Sequence, residues 1–387
     1  MKTLILVLIT NNLISQACFK LSGIIMSKKD SSRISFVSIK IKNSTIGTIT
    51  NTDGFFELNS RDSSQKLEIQ ISHINYRDTS IFIEKNKINY VKLSEHSVNL
   101  DEVSVSAESP YEIIDLTTKK LSDNFSNKEF FLKTFYKEII TKDKKNARYS
   151  EAFFNIYLPS LYKLNQNSTV DSKRKIELIV NRTYFDYKDT LVNICQSPYK
   201  ILNNVFVNIT PVDSSFYNYK MIENSNNLYV IDVSPKSNSS GVYSYECTIN
   251  KNNYSFIKIK NYVSDFTFEK YQKIFNVKNA DNTISIYLKY ITEINFIKSE
   301  HTMQIASIYN YVKEKFIDDK NNYTTDIERN SYLFITEVYK SKIKLKNTMK
   351  KTDYLHKVKS NNDSLYWDNQ NKLVETMNDV ILKKQLE

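Results

Sequence analysis

The side chains that most often carry chemistry are scarce in this chain of 387 residues. His73, His96, His301 and His356 are its entire imidazole supply, and none opens a His-x-x-Glu or His-Glu-x-x-His pattern. Such spacings seed a catalytic zinc site, so a zinc peptidase is not expected and each histidine reads as a strand-surface or turn residue. Cys18, Cys195 and Cys247 include no Cys-x-x-Cys pair, which removes a zinc ribbon. Cys195 and Cys247 keep two readings: a disulfide in an oxidising compartment, or two small buried hydrophobes, the simpler of the two. A Gly-x-Ser-x-Gly nucleophile elbow is missing. Adjacent acids occur at Asp101-Glu102 and Asp318-Asp319, but such pairs are common in a chain with 43 carboxylates. Asp53 reads as a turn residue, since too few oxygen ligands surround it in sequence for calcium. No residue is nominated as catalytic and no cofactor is implied.

Glycine is rarer still. Gly23, Gly47, Gly54 and Gly241 are the whole supply, where ~7% average usage would give about 27. None are spaced for a dinucleotide fingerprint or a phosphate-cradling loop, both of which need backbone without Cβ atoms. The 54 basic residues outnumber the 43 acidic ones, a net charge of +11. That excess is diffuse and carries no helix-turn-helix, zinc-finger or RNP pattern, so nucleic acid is not an expected partner. One denser stretch, KSKIKLKNTMKK, places Lys340, Lys342, Lys344 and Lys346 on one face of an extended segment. Lysines there protect a sheet edge from aggregation, or offer a basic surface for peripheral contact with lipid phosphates.

The remaining patterns belong to the elements that position side chains. Residues 1–17 read as a signal peptide: Lys2 precedes an aliphatic run from Leu4 to Ile9, and Ser15 and Ala17 supply small residues before a cleavage at Ala17-Cys18. Export to the periplasm or outer membrane follows, and Cys18 as first mature residue raises lipidation, although Ser15 stands where a lipobox carries an aliphatic residue. From Phe19, β-branched and aromatic runs alternate with polar turns at Lys20–Met26, Ser35–Lys42, Lys66–Ser72, Ser80–Ile83, Tyr90–Leu93 and Val103–Val105. Between them, GTITNTDGFFEL reads as two strands joined at Asp53-Gly54, with glycine supplying positive φ. About seven strands in ~100 residues suit a sandwich.

Gly47-Thr48, Thr52-Asp53-Gly54-Phe55, Leu58, Ser72 with Tyr76, and Leu100-Asp101-Glu102-Val103 with Val105 together resemble the carboxypeptidase-regulatory-like domain of Bacteroidota. That resemblance implies a transthyretin-like β-sandwich over residues 18–107. The family's glycine before its tyrosine is Asn75 here, and Asn is the next-best residue for a left-handed backbone position. The domain most often accompanies a TonB-dependent barrel of ~22 strands, for which too little chain remains.

Residues 108–126 predict a linking amphipathic helix, with Ser109 as cap, Pro110 in the first turn, and Ile113, Ile114, Leu121 and Phe125 on its apolar stripe. Residues 127–345 predict a larger antiparallel β-rich domain. FFLKTFYKEIIT and ARYSEAFFNIYL form a hairpin across Lys142–Asn146, and the first strand is apolar on both faces, hence central. Strands follow at Ile176–Tyr187, Tyr229–Ser234, Tyr243–Asn250, Phe256–Val263, Thr283–Ile291, Thr302–Val312 and Ser331–Tyr339, punctuated by Asn252-Asn253 and Asn321-Asn322. Residues 346–387 predict a basic tail with Tyr366-Trp367 and a helix at Met377–Leu386. This order is similar to that of short envelope proteins of Bacteroidota. Its hairpin succession also resembles the curved half-barrel of lipoprotein-carrier proteins, which implies an aromatic-lined apolar cavity; ordinary core packing explains the same residues.

The expected fold is therefore mainly β: a seven-stranded sandwich, a linking helix, and a larger antiparallel sheet ending in a helix. The expected function is that of a non-enzymatic cell-envelope protein that binds a protein partner or an apolar ligand. The alternative is a hydrolase whose dispersed carboxylates a single sequence does not reveal.

Overall fold

The computed structural model describes residues 19–73, 76–95, 109–126, 128–160, 174–185, 214–225, 227–237, 241–278, 283–299, 302–339 and 363–386, with short pieces at 198, 201–202 and between 341 and 358. Ala17, Cys18, Asn75, Cys195, Lys340 and the predicted strand at Val103–Val105 lie outside the described residues.

Seven strands build the N-terminal unit: β1 (Phe19–Ser27), β2 (Ser38–Ile41), β3 (Gly47–Ile49), β4 (Phe55–Ser60), β5 (Lys66–His73), β6 (Tyr76–Glu84) and β7 (Ile88–Leu93). They form two sheets, ordered β4-β1-β7 and β3-β2-β5-β6. Alternation along each strand sends Leu21, Ile25, Val37, Ile39, Phe56, Leu58 and Ile69, all fully buried, into the space between the sheets.

The turn at Asp53-Gly54 is present, but the strands it joins are not a hairpin: β3 and β4 belong to different sheets. The Asn51 side chain explains the divergence, because its Oδ1 accepts from the backbone N–H groups of both Asp53 and Phe55. That Asx geometry turns the chain before a cross-strand ladder forms. Gly54 sits at φ +68, and a Cβ there would meet the Ile25 carbonyl oxygen at 2.7 Å. Gly54→Ala is therefore expected to cost about 1–2 kcal/mol or more, read as a lower midpoint in urea unfolding.

After the sandwich come α1 (Pro110–Lys119) and α2 (Leu121–Asn124). Ser109 caps α1 and completes a capping box with Glu112. Ile113, Ile114, Leu121 and Phe125 are all buried, as the apolar stripe predicts.

The second unit is an antiparallel sheet that does not close into a barrel. Its strands are β8 (Phe130–Lys142), β9 (Lys145–Leu158), β10 (Lys175–Phe185), β11 (Tyr217–Asn224), β12 (Leu228–Pro235), β13 (Ser244–Asn250), β14 (Phe256–Tyr262), β15 (Asn276–Lys278), β16 (Ile284–Ser299), β17 (Thr302–Asp318) and β18 (Tyr323–Val338). The order is β10-β9-β8-β18-β17-β16-β14-β13-β12-β11, with β15 paired to β16. The β8–β9 hairpin closes on Asp143 and Lys144, both at positive φ, the primed turn that matches strand twist. Two short helices, α3 (Asp265–Lys270) and α4 (Gln272–Phe275), lie between β14 and β15, and α5 (Ser364–Asp368) and α6 (Met377–Leu386) end the chain.

Each face of this sheet has its own cover, which is why β8 is apolar on both sides. One face carries an apolar row in register across eight strands: Ala152, Tyr136, Leu333, Ile308, Ile294, Ile259, Cys247 and Ile231. This row shares a core with Ile113, Ile114, Leu121 and Phe125 of the helical link. The opposite face pairs Phe135 with Phe153 and Phe334, and these pack with Ile49 of the sandwich and with Trp367 and Leu373 of the tail.

Residues 341–346 form no strand, contrary to the extended lysine segment predicted there. Their polar bonds go to side chains instead of a ladder: Lys342 pairs with Glu129, and the Lys346 backbone N–H donates to Glu177 Oε1 at 2.8 Å. Further on, Thr348 forms an isolated bridge with Glu177, and the Met349 backbone N–H donates to the Ile176 carbonyl of edge strand β10. Lys342, Lys344 and Lys346 still share an exposed side, opposite half-buried Ile343 and Leu345.

Candidate functional site: the cleft between sandwich and sheet

Open space concentrates where the sandwich meets the large sheet. A cleft of about 370 Å³ is bounded by Ser35, Phe36, Ser38, Ile49 and His73 on the sandwich side. Lys258, Glu293, Ala306, Tyr309, Tyr332 and Phe334 bound it on the sheet side. A second cavity of about 530 Å³ shares Ser72, His73, Ile257, Phe296 and Ile297 with it and continues towards polar Asn227, Asn250, Asn252 and Asn253. The two form one groove, aromatic at one end and amide-rich at the other.

Local backbone explains the aromatic end. Phe36 lies just before β2 at φ +58; it stands on the face opposite to Val37, Ile39 and Ile41 and reaches across the seam. Its ring stacks on Tyr332 with centroids 5.8 Å apart and an interplanar angle of 18°. Tyr309 lies opposite Tyr332 on the neighbouring strand, their centroids 4.9 Å apart, and Phe334 continues the stack at 6.1 Å. Ala306 of β17 is left unpaired opposite the Asn295–Phe296 step of β16, and Phe296 borders the groove while packing edge-on against Phe125 of the helical link at 5.2 Å.

A few polar groups converge on this aromatic wall. Lys258 Nζ lies 3.2 Å from Glu293 Oε2, Tyr309 donates to Asn330 Oδ1 at 2.8 Å, and Asn295 Nδ2 donates to Ser307 Oγ at 3.2 Å. Burial and then the Lys258 ammonium hold the His73 imidazole down at about 4, against an ordinary 6.5, so it is neutral near pH 7. Burial, reinforced by Asp379, pushes the Tyr332 phenol up to about 12. The wall is therefore neutral apart from one ion pair. Stacked rings with little net charge fit an apolar or planar guest, and offer no activated nucleophile or poised general base.

The residues singled out by sequence do not meet here. Gly47 lies near the groove's rim, where a Cβ would approach the Ile39 carbonyl oxygen at 2.9 Å. Asp53 is exposed in its turn. The Cys247 thiol is buried on the helix-covered face, pushed up to about 12 by burial and then by Asp232; its sequence partner Cys195 is not among the described residues. Lys342, Lys344 and Lys346 lie beside β10, away from the cleft.

Buried carboxylates are engaged elsewhere. Glu138 pairs with Arg148 at 3.1 Å, Glu151 with Arg182 at 2.5 Å, and Asp379 with Lys137 at 2.6 Å. Among the described residues, no group of three His, Cys, Asp or Glu side chains is placed to hold a metal ion. The cleft itself escaped sequence reasoning. Tyr309, Tyr332 and Phe334 read as ordinary strand aromatics, and only the pairing register and the docking of Phe36 bring them together.

No curated protein is similar to the chain in sequence. Among solved structures, a putative outer membrane lipoprotein-sorting protein domain from Vibrio parahaemolyticus is 7% identical with a TM-score of 0.28, over 61% of this chain and 95% of that one. A LolA superfamily protein from Nitrosomonas europaea is 11% identical with a TM-score of 0.24, over 63% and 99%. The MucA/MucB complex of Pseudomonas aeruginosa includes a chain that is 9% identical with a TM-score of 0.17, over 57% and 93%. At such scores these likenesses assign this chain neither a fold nor a function. Among the described residues, no helix is long and apolar enough to cross a membrane. Residues 21–105 match the family model of the CarboxypepD_reg-like domain.

Proposed function

We propose that this is an exported, non-enzymatic binding protein of the cell envelope that takes an apolar ligand in the cleft between its sandwich and its large sheet. The observation that carries the reading is the stack of Phe36, Tyr332, Tyr309 and Phe334 lining a cleft of about 370 Å³. That volume falls in the range of small-molecule sites, which are mostly apolar with a few fixed polar groups. Space on the helix-covered face is taken by Ile113, Ile114, Leu121 and Phe125, so the guest is assigned to the seam and not beneath the helices. The leader at residues 1–17 supports export, and Cys18 as a lipid anchor belongs to the same reading.

Ala306, half-buried on the cleft wall, provides the test. Ala306→Phe fills the cleft, and Tyr332→Ala removes the central ring of its stack. Both are expected to weaken binding of a fluorescent fatty acid at least roughly tenfold, the effect of losing about 1.4 kcal/mol of contact, with the melting temperature of Ala306→Phe recorded as a control. Equal affinity in wild type and both folded variants would remove the cleft from the account.

A further inference from the structure

Away from the cleft, exposed apolar side chains gather in the excursion between β14 and β16. Phe266 is 53% exposed, Ile274 57%, Val277 41% and Leu288 40%. They come from α3, α4, β15 and the early part of β16 in turn, a run of 23 residues from 266 to 288. The support beneath them is ordered. Phe268 and Phe275 pack with ring centroids 4.4 Å apart, Ser264 caps α3, and Val277 pairs with Ser285 in a short ladder. The exposed residues are therefore presented by a packed platform and are not the inside of a loose loop.

Lysines outnumber acids on this platform. Lys270, Lys273, Lys278 and Lys289 are exposed there against two exposed acids, Asp265 and Glu269. The platform sits at the end of the sheet that carries the β17–β18 turn, since Ile284 pairs with both Lys278 and Ile317. Exposed Lys320 lies in that turn beside exposed Asp319, and exposed Lys144 and Lys145 lie in the β8–β9 turn at the same end beside exposed Asp143. The segment at Lys342–Lys346 is at the other end, beside the start of β8 and β10.

The sandwich offers an instructive contrast. Phe82, Ile88 and Tyr90 are 69%, 50% and 66% exposed, but Glu84 among them is shared by Lys66 at 3.0 Å and Lys87 at 2.5 Å. Both lysines there are engaged by that one carboxylate.

We propose that the α3–α4–β15 platform is a membrane-contact foot, which inserts Phe266, Ile274, Val277 and Leu288 among the headgroups of an anionic bilayer while its lysines meet lipid phosphates. Shallow apolar insertion combined with a basic rim is the physical signature of reversible binding to a bilayer surface. The occupant is a lipid surface and not a protein face because the apolar residues are scattered singly among lysines, an arrangement a dry protein interface would leave with uncompensated charge.

The test is co-sedimentation of the full chain with vesicles of phosphatidylcholine alone and of phosphatidylcholine containing about one-third phosphatidylglycerol. Binding to the anionic vesicles is expected to be roughly tenfold stronger and to weaken as salt is raised past physiological strength. Ile274→Asp with Val277→Asp, and separately Lys273→Glu with Lys278→Glu, are expected to reduce that binding roughly tenfold. Phe82→Asp with Tyr90→Asp on the sandwich is expected to leave it unchanged. All six substitutions are at exposed positions, and circular dichroism confirms that each variant is folded; residues 1–18 are the same in all of them, so any contribution from the leader cancels. Binding that is equal on both vesicles and indifferent to salt would overturn the proposal, as would binding untouched by the two foot variants. A dimer in sedimentation equilibrium that Val277→Asp dissociates would assign this face to a second copy of the chain and also overturn it.

Discussion

Trp367→Ala is expected to lower the unfolding free energy by about 3–5 kcal/mol, the range for emptying a fully buried indole site. Trp367 is 1% exposed, with Phe153 at 5.2 Å between ring centroids and the Arg182 guanidinium 4.3 Å above its ring. It shares its core with Ile49 of the sandwich, Phe135, Val180 and Phe334 of the sheet, and Leu373 of the tail. Three parts of the molecule therefore lose a common packing partner at once. Its indole Nε1 has no hydrogen-bond partner among the described residues, so the ring is retained there for its bulk. Trp367→Phe is accordingly expected to cost less than Trp367→Ala. The measurement is urea unfolding followed by far-ultraviolet circular dichroism, since the chain's single tryptophan would be gone. Two resolved transitions in the alanine variant would report the sandwich uncoupling from the sheet, and a loss below about 1 kcal/mol would contradict this packing.

The second large effect concerns the charges that fasten α6. Glu151, with a side chain 1% exposed, receives Arg182 at 2.5 Å and Lys383 at 3.2 Å, and Tyr149 donates to its other oxygen at 2.6 Å. Arg182 and Lys383 also share Glu375, at 2.5 and 2.6 Å. Burial alone would raise the Glu151 carboxyl, but Lys383 and Arg182 outweigh it and hold the group below its ordinary value of 4.5. Arg182→Met keeps an unbranched apolar side chain but removes the guanidinium, which lies over Trp367 and is one of two cations on a buried carboxylate. The expected cost is about 3 kcal/mol, the low end for breaking a buried ion pair.

The pH dependence has a definite sign. A carboxyl whose folded-state value is depressed contributes stability that is fully present above about 4.5 and is lost as pH falls through the depressed folded value. The wild type should therefore lose stability below pH 4.5 more steeply than Arg182→Met, whose Glu151 is less depressed. Parallel acid limbs in the two proteins would show that the guanidinium does not stabilise the charged form.

These clasping contacts also show why the sequence discloses some features and hides others. Period-two alternation marks nearly every strand, and Ser109-Pro110 marks the start of α1, because those signals are local and act within a few residues. Tyr366-Trp367 and the helix at 377–386 are visible for the same reason. Their role is not: Asn59 bonds Gln370 and Asn371, and Asn51 bonds the Val374 carbonyl at 3.3 Å, contacts that cross more than 300 residues. β11 is not among the expected strands although its residues alternate and Asp213-Ser214-Ser215 and Asn224-Ser225-Asn226-Asn227 frame it; as an edge strand with no fully buried residue it carries a weak apolar signal. The split of β3 from β4 depends on the Asn51 side chain, which a pattern of apolar residues does not encode.

Register conceals a further feature. Beside the apolar row on the helix-covered face runs a polar one, in which Ser150, Glu138, Ser331, Asn310, Thr292 and Asn261 stand side by side on six strands. All six are buried. Each is unremarkable in its own strand, and only pairing turns them into a continuous belt. The candidate site was hidden in the same way: four aromatics from three distant segments become a binding wall only when the sandwich docks through Ile49 and Phe36.

An apolar guest is expected in the seam and not on the helix-covered face. Photolabelling with a diazirine-bearing fatty acid, followed by mass-spectrometric mapping of the modified peptides, tests it most directly. Labels are expected on peptides containing Phe36, Ile49, Tyr309 and Tyr332, competed away by unlabelled fatty acid. Labels concentrated on Ile113, Ile114 and Tyr229 beneath the helices, or no competable label at all, would contradict it.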